Sequence, residues 1–141
     1  MRVTLLSYTR DAEKLCSVAA HSCYSDKGAS ELVEEWDEKK GARWLGSPLA
    51  SGHHSVIEHA SYTFSIEGCS RAMTHQLVRH RLASFSQQSQ RYVDMKNADY
   101  VVPASISSDP ELEARFRTLM DRIWEEYRAL AKKVPVEDAR Y

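Results

Sequence analysis

Apolar and polar positions alternate in one stretch of the chain and recur at three- and four-residue steps through much of the rest. Val3 to Tyr8 is a short β-leaning run. Tyr62, Phe64 and Ile66 alternate with Thr63 and Ser65, the period of a half-buried strand, which Gly68 ends. Thr9 or Asp11 stands where it can cap a helix carrying Leu15, Val18, Ala19 and Cys23. Glu31 to Lys40 sets Leu32, Val33 and Trp36 among charges, the pattern of a solvated amphipathic helix. A further helical piece through Trp44, Leu45 and Leu49 stops at Gly52, and Gly52 to Ser55 reads as a loop. Cys69 to Arg81 is expected to be helical, with Met73 and Leu77 one turn apart.

Ala83 to Gln90 is rich in hydroxyls and amides without a helical stripe, and is expected to be an ordered loop. Tyr92-Val93 and Tyr100 to Val102 are short strand candidates around a turn from Asp94 to Asp99, with Pro103 at a strand end. Ser108-Asp109-Pro110-Glu111 combines a capping box with a first-turn proline and opens the strongest helix of the chain. Its apolar side chains, Leu112, Phe116, Leu119, Met120, Ile123, Tyr127, Leu130 and Val134, follow at steps of three and four. No repeat or linker divides the chain. The order β-α-α-β-α-loop-β-α predicts one α/β (α+β) domain over residues 1–141, a mixed sheet flanked by helices.

Composition adds limits. Of 141 residues 43% are hydrophobic and 28% charged, which suits a globular domain and excludes a disordered tail or a coiled coil. No apolar run approaches the roughly 20 residues of a membrane span, and the first six residues turn polar too early for a secretory signal. Three cysteines, Cys16, Cys23 and Cys69, are odd in number and read as reduced thiols. A soluble cytoplasmic protein without membrane or nucleic-acid partners is the expectation.

Net charge changes the picture only when it is mapped. The whole chain carries −1, yet Gly68 to Val93 holds Arg71, Arg79, Arg81 and Arg91 with no acid, leaving −5 for the remainder. A local positive field in a neutral chain suits one compact anion, such as a phosphate or a nucleotide; a basic face paired with acidic neighbours is the plainer reading. Arg79-His80-Arg81 places three such side chains consecutively, so they diverge and can serve ligands on different sides. Ser84, Ser86, Gln87, Gln88, Ser89 and Gln90 follow as neutral hydrogen-bonding groups, closed by Arg91. Such a loop can hold a phosphate or read a base edge.

His53, His54, Glu58 and His59 lie close together, but not at the spacing of a zinc-binding His-Glu-x-x-His helix. His53 beside Gly52 is expected to line a pocket, and His59 to be a core histidine. Glu58 serves either a ligand or the local backbone. Cys69 at a helix start has no base at hand, His75 pointing elsewhere, and Cys16 and Cys23 share a face with small core residues.

The pattern Arg79-His80-Arg81-x-x-Ser84-x-x-x-x-Ser89-x-Arg91 resembles the signature of the flavin-dependent thymidylate synthases. Gly52-His53, Glu58-His59, Gln76 and Asp138-Ala139-Arg140 support it from the flanks, so the resemblance spans the chain. It implies formation of dTMP from dUMP, with 5,10-methylenetetrahydrofolate as one-carbon donor, NADPH as reductant and bound FAD as mediator. It implies a homotetramer with shared active sites. By motif position, Ser55, Arg79, His80, Arg81 and Gln87 would contact FAD, with His53 and Glu58 near the flavin edge. Gln76, Arg79, Gln87, Gln88, Ser89, Gln90, Arg91 and Arg140 would contact dUMP. Gln87 stands where some members carry Glu.

The resemblance puts the arginine that ionises the uracil ring beyond residue 141, so no catalytic residue is assigned within the chain. Pro135, Glu137 and Asp138 open a helix with only six residues to follow the proline, and a chain truncated at its C-terminus, inactive by itself, is expected. Two other classes remain open at this level. One is a nucleotide- or RNA-binding module, with only Phe85 and Tyr92 near the loop for stacking. The other is a metal-dependent hydrolase centred on His53, His54 and His59.

Overall fold

A computed structural model describes residues 1–95 and 99–141, and the chain divides into two compact units, Met1–Glu67 and Gly68–Tyr141. It is a mixed α/β protein with a small antiparallel sheet and many helices.

The first unit opens with β1 (Arg2–Tyr8), which pairs antiparallel with β2 (Tyr62–Glu67). Val3 lies opposite Ile66, Leu5 opposite Phe64 and Tyr8 opposite Tyr62, with an irregularity between Leu5 and Ser7. The period-2 pattern thus collects the apolar residues on one face and Thr4, Ser65, Arg2 and Glu67 on the other. The Arg2 guanidinium, helped by the Ser65 hydroxyl at 3.0 Å, holds the Glu67 carboxyl below its ordinary range. Thr9 does not cap a helix. Its N–H donates to Ser61 O at 2.9 Å and its hydroxyl accepts from Ser61 N–H, prolonging the strand pairing.

Three helices follow: α1 (Ala12–Ser22), α2 (Ala29–Glu35) and α3 (Glu38–Ala50). Asp11 holds the N-cap position of α1, but at φ 49° and without a side-chain cap. Cys16 is buried in α1, whereas Cys23 is an exposed C-cap residue instead of part of the core. The amphipathic stretch from Glu31 to Lys40 is broken, because Trp36 turns extended and Asp37 starts a new helix by accepting from Lys40 N–H at 2.8 Å. Breaking there swings the Trp36 indole inward. Its Nε1–H donates at 2.7 Å to the hydroxyl of Ser17, which is fully buried and itself donates to Lys14 O. Val18, Leu32 and Trp44 pack beside it as the core, with His21 stacked on Trp44 at 4.3 Å. Gly52, at φ 82°, turns the chain after α3; Gly52 and His53 form the expected loop, and its last two residues, His54 and Ser55, open a 3-10 helix over His54–His59.

The second unit begins after Gly68, with α4 (Arg71–Leu77) capped by the Ser70 hydroxyl. Then come α5 (Ala104–Ser107), α6 (Pro110–Leu130) and α7 (Val136–Ala139). The cap of α6 is Asp109, which accepts from the N–H groups of Glu111 and Leu112; Ser108 bonds backward to Ser105 O. The helix ends at Leu130, four residues before Val134, and Pro135 caps α7 with Glu137 and Asp138 in its first turn. Tyr92-Val93 and Tyr100 to Val102 are not strands, because β propensity needs a partner edge. Tyr100 instead meets the Phe116 ring of α6 edge-on at 5.9 Å. Pro103 caps α5. The turn expected from Asp94 to Asp99 lies partly outside the described residues.

A Cβ built on Gly41 of α3 would stand 2.6 Å from Trp36 Nε1. Gly41→Ala should therefore cost about 1–3 kcal/mol, read as a lowered urea midpoint with unchanged slope. Burial pushes the Cys16 thiol up, while Cys23 is exposed. Iodoacetamide at pH 8 should label Cys23 at least ~10-fold faster than Cys16, followed by peptide mass analysis.

Candidate functional site

The sequence-selected residues fall in both units. In the first, His53 precedes the 3-10 helix, its N–H bonded to Pro48 O at 2.9 Å. It lines a cleft of about 400 Å³ with His21, Arg43, Trp44 and Ser51, as expected of a pocket histidine. The buried Trp44 Nε1–H has no partner among the described residues. Ser55, Glu58 and His59 are exposed, so His59 is not a core histidine; its side chain projects from a one-sided 3-10 turn. That turn is tied to α1 through Cys16 Sγ, 3.8 Å from Ile57 O. Among the described residues no group of three His, Cys, Asp or Glu side chains is gathered to hold a metal ion.

In the second unit the expected helix from Cys69 to Arg81 stops at Leu77. Beyond it the chain descends in tight turns, with Arg79 N–H on Gln76 O at 3.2 Å and His80 N–H on Leu77 O at 3.1 Å. Arg79, His80 and Arg81 therefore leave the helix end on an irregular path, all exposed. Among the described residues Arg79 and Arg81 make no ion pair, whereas Arg91 of the same basic window meets Glu137, so the plainer reading of pairing with acidic neighbours holds for Arg91 alone.

The 87–91 loop is an irregular segment held by two helices and by its own hydrogen bonds. From α4, Thr74 Oγ1 accepts from the Gln87 amide and Arg71 Nη1 donates to Gln88 O at 3.4 Å. Within the loop, Ser89 Oγ accepts from Arg91 N–H at 3.1 Å, and Ser89 O accepts from Val93 N–H at 3.1 Å. From α7, Arg140 Nη1 donates to Gln90 Oε1 at 2.9 Å, and Glu137 faces the Arg91 guanidinium at 3.7 Å. Both members of that pair are largely solvated, so it is worth about 0–1 kcal/mol and yields readily to a stronger anion. Gln90 and Arg140 line a cleft of about 830 Å³ with Arg122, Trp124 and Tyr127 of α6.

The structure thus brings Gln87, Gln88, Ser89, Gln90, Arg91 and Arg140 together. No hydrogen bond or ion pair among the described residues joins Gln76, Arg79 or Arg81 to that loop. Sequence reasoning passed over Thr74, Arg71 and Glu137. In the sequence Arg71 signals only its charge and Glu137 only the first turn of a helix. The ensemble offers guanidiniums, amides and hydroxyls with a single weakly held carboxylate, a donor set for an oxygen-rich anion.

Residues 4–141 match the family described as Thymidylate synthase complementing protein. The chain is 45% identical over 144 residues to the flavin-dependent thymidylate synthase of Geobacter sulfurreducens, covering all of this chain and 62% of that protein. It is 40% identical over 158 residues to the enzyme of the same name from Clostridium tetani, covering all of this chain and 64% of that one. The enzyme of that name from Pyrococcus abyssi is 42% identical over 146 residues, with 60% of its length covered. This is an α/β protein of the thymidylate synthase complementing family. The chain spans about three-fifths of the length of these curated relatives.

Proposed function

We propose that the chain is part of a flavin-dependent thymidylate synthase that makes dTMP from dUMP. The 5,10-methylenetetrahydrofolate molecule would be the one-carbon donor and NADPH the reductant, in a cytoplasmic homotetramer with no nucleic-acid or membrane partner. Both compact units would form one family domain. The observation that carries this reading is the exposed, arginine-rich segment without acids, continuous with a loop of amides and hydroxyls, inside a family-wide match. No helix among the described residues is long and apolar enough to cross a membrane.

FAD supplies the redox chemistry when bound, so the chain need provide no nucleophile of its own. Arg79, His80, Arg81, Gln87 and Ser55 are proposed to hold it, with His53 and Glu58 beside the isoalloxazine edge. Two guanidiniums that make no ion pair among the described residues fit a diphosphate, whose charge they would meet with planar forks. Gln76, Arg79, Gln87, Gln88, Ser89, Gln90, Arg91 and Arg140 are proposed to hold dUMP. The dUMP phosphate would displace Glu137 from Arg91, a dianion replacing a solvated carboxylate. Ser89 would position and not attack, since its hydroxyl accepts from Arg91 N–H and no base adjoins it among the described residues. What the loop contributes is orientation of the pyrimidine, the share of the barrier that positioning alone can lower.

Arg91→Ala should weaken dUMP binding by about 1.5–3 kcal/mol, the worth of a hydrogen bond to a charged group, and leave FAD binding nearly intact. Separate calorimetric titrations of the two ligands test this, and equal losses for both would refute the assignment. Replacing Arg79 and Arg81 together by Ala should give a folded protein, judged by circular dichroism, that purifies without yellow colour. Retention of stoichiometric flavin would make that pair structural.

A further inference from the structure

Tyr127 is the one buried residue among the described residues of α6, at 4% exposure, in a helix whose other apolar side chains remain half-buried or exposed. Its ring meets Trp124 edge-on at 5.9 Å, which fixes where the phenol points. The hydroxyl donates to Asp94 Oδ1 at 3.2 Å and accepts from Met95 N–H at 3.0 Å. Both capacities of one phenol are spent on the chain three and four residues after Arg91. The turn between, closed by Val93 N–H on Ser89 O, is exposed and short, so a shift at Asp94 and Met95 is passed to Arg91 and Gln90. Tyr127 also lines the cleft that Gln90 and Arg140 share.

We propose that Tyr127 is a positioning residue for the nucleotide phosphate: its hydroxyl fixes the downstream end of the 87–91 loop, and so sets Arg91 and Gln90 against Arg140. The proposal rests on the assignment of this loop to dUMP and names a residue that the family signature does not contain. Without the hydroxyl, Met95 N–H loses its acceptor and the phenol no longer holds Asp94, and the loop samples positions in which Arg91 no longer converges with Arg140. The helix keeps its ring packing, so the fold should survive.

Tyr127→Phe, Asp94→Ala and Arg91→Ala are compared with the unaltered full chain by titrating dUMP and FAD and by recording thermal melts. Tyr127→Phe should raise the dUMP Kd about tenfold, with the FAD Kd changed less than about twofold. Asp94→Ala, on an exposed loop, should raise the dUMP Kd severalfold in the same direction. A lowered melting temperature with unchanged dUMP affinity would make Tyr127 merely structural and overturn the proposal. If Tyr127→Phe does not fold, Asp94→Ala decides: an unchanged dUMP Kd overturns the positioning role and a raised one supports it. Should Arg91→Ala also leave dUMP binding untouched, the nucleotide assignment fails, and the proposal with it.

Discussion

The hydrogen bond from Arg140 to Gln90, made between residues fifty positions apart, is the contact by which the end of α7 reaches the loop of the candidate site. A loop of amides and hydroxyls with no regular hydrogen-bonding pattern has little to hold it in one shape. Here it is pinned by α4 at one end, α7 at the other and the Tyr127 hydroxyl just downstream. These supports let a segment of seven exposed or half-buried polar side chains stand ready before any ligand arrives. Pre-ordering of this kind lowers the entropy that binding must overcome.

The first unit solves a different problem by similar means. Three short helices would be marginal alone, and their apolar residues are few. Trp36 reaches out of the break between α2 and α3 to the buried Ser17 of α1, and Gly41 leaves the space its ring occupies. One indole N–H and one hydroxyl thus join three helices around Val18, Leu32 and Trp44. The same packing carries the 3-10 helix of His54–His59, through Cys16 and Ile57, and with it His53 at its cleft.

Much of this was legible in the residues. The strand over Tyr62–Glu67 followed from alternation, the strand over Arg2–Tyr8 from a β-leaning run, and α6 from Asp109 and Pro110, because those signals are local. The break at Trp36 was not legible, since its reason is a hydroxyl nineteen positions earlier. Nor was the loss of strands near Tyr100, whose ring found an aromatic partner on α6 before its backbone found an edge. The loop of the candidate site showed itself by residue type and by its resemblance to a family signature. Its supports, Thr74, Glu137 and Tyr127, act through tertiary approach, and nothing in their local sequence marks them.

The acid-free segment and its loop are proposed to recognise the phosphate of a deoxynucleotide. Paired titrations of the FAD-loaded protein with dUMP and with deoxyuridine, which lacks only that phosphate, test it most directly. Two or more charge-assisted contacts predict that deoxyuridine binds at least about 100-fold more weakly than dUMP at the same ionic strength. Equal affinity for the two would show that the phosphate is not what the loop recognises.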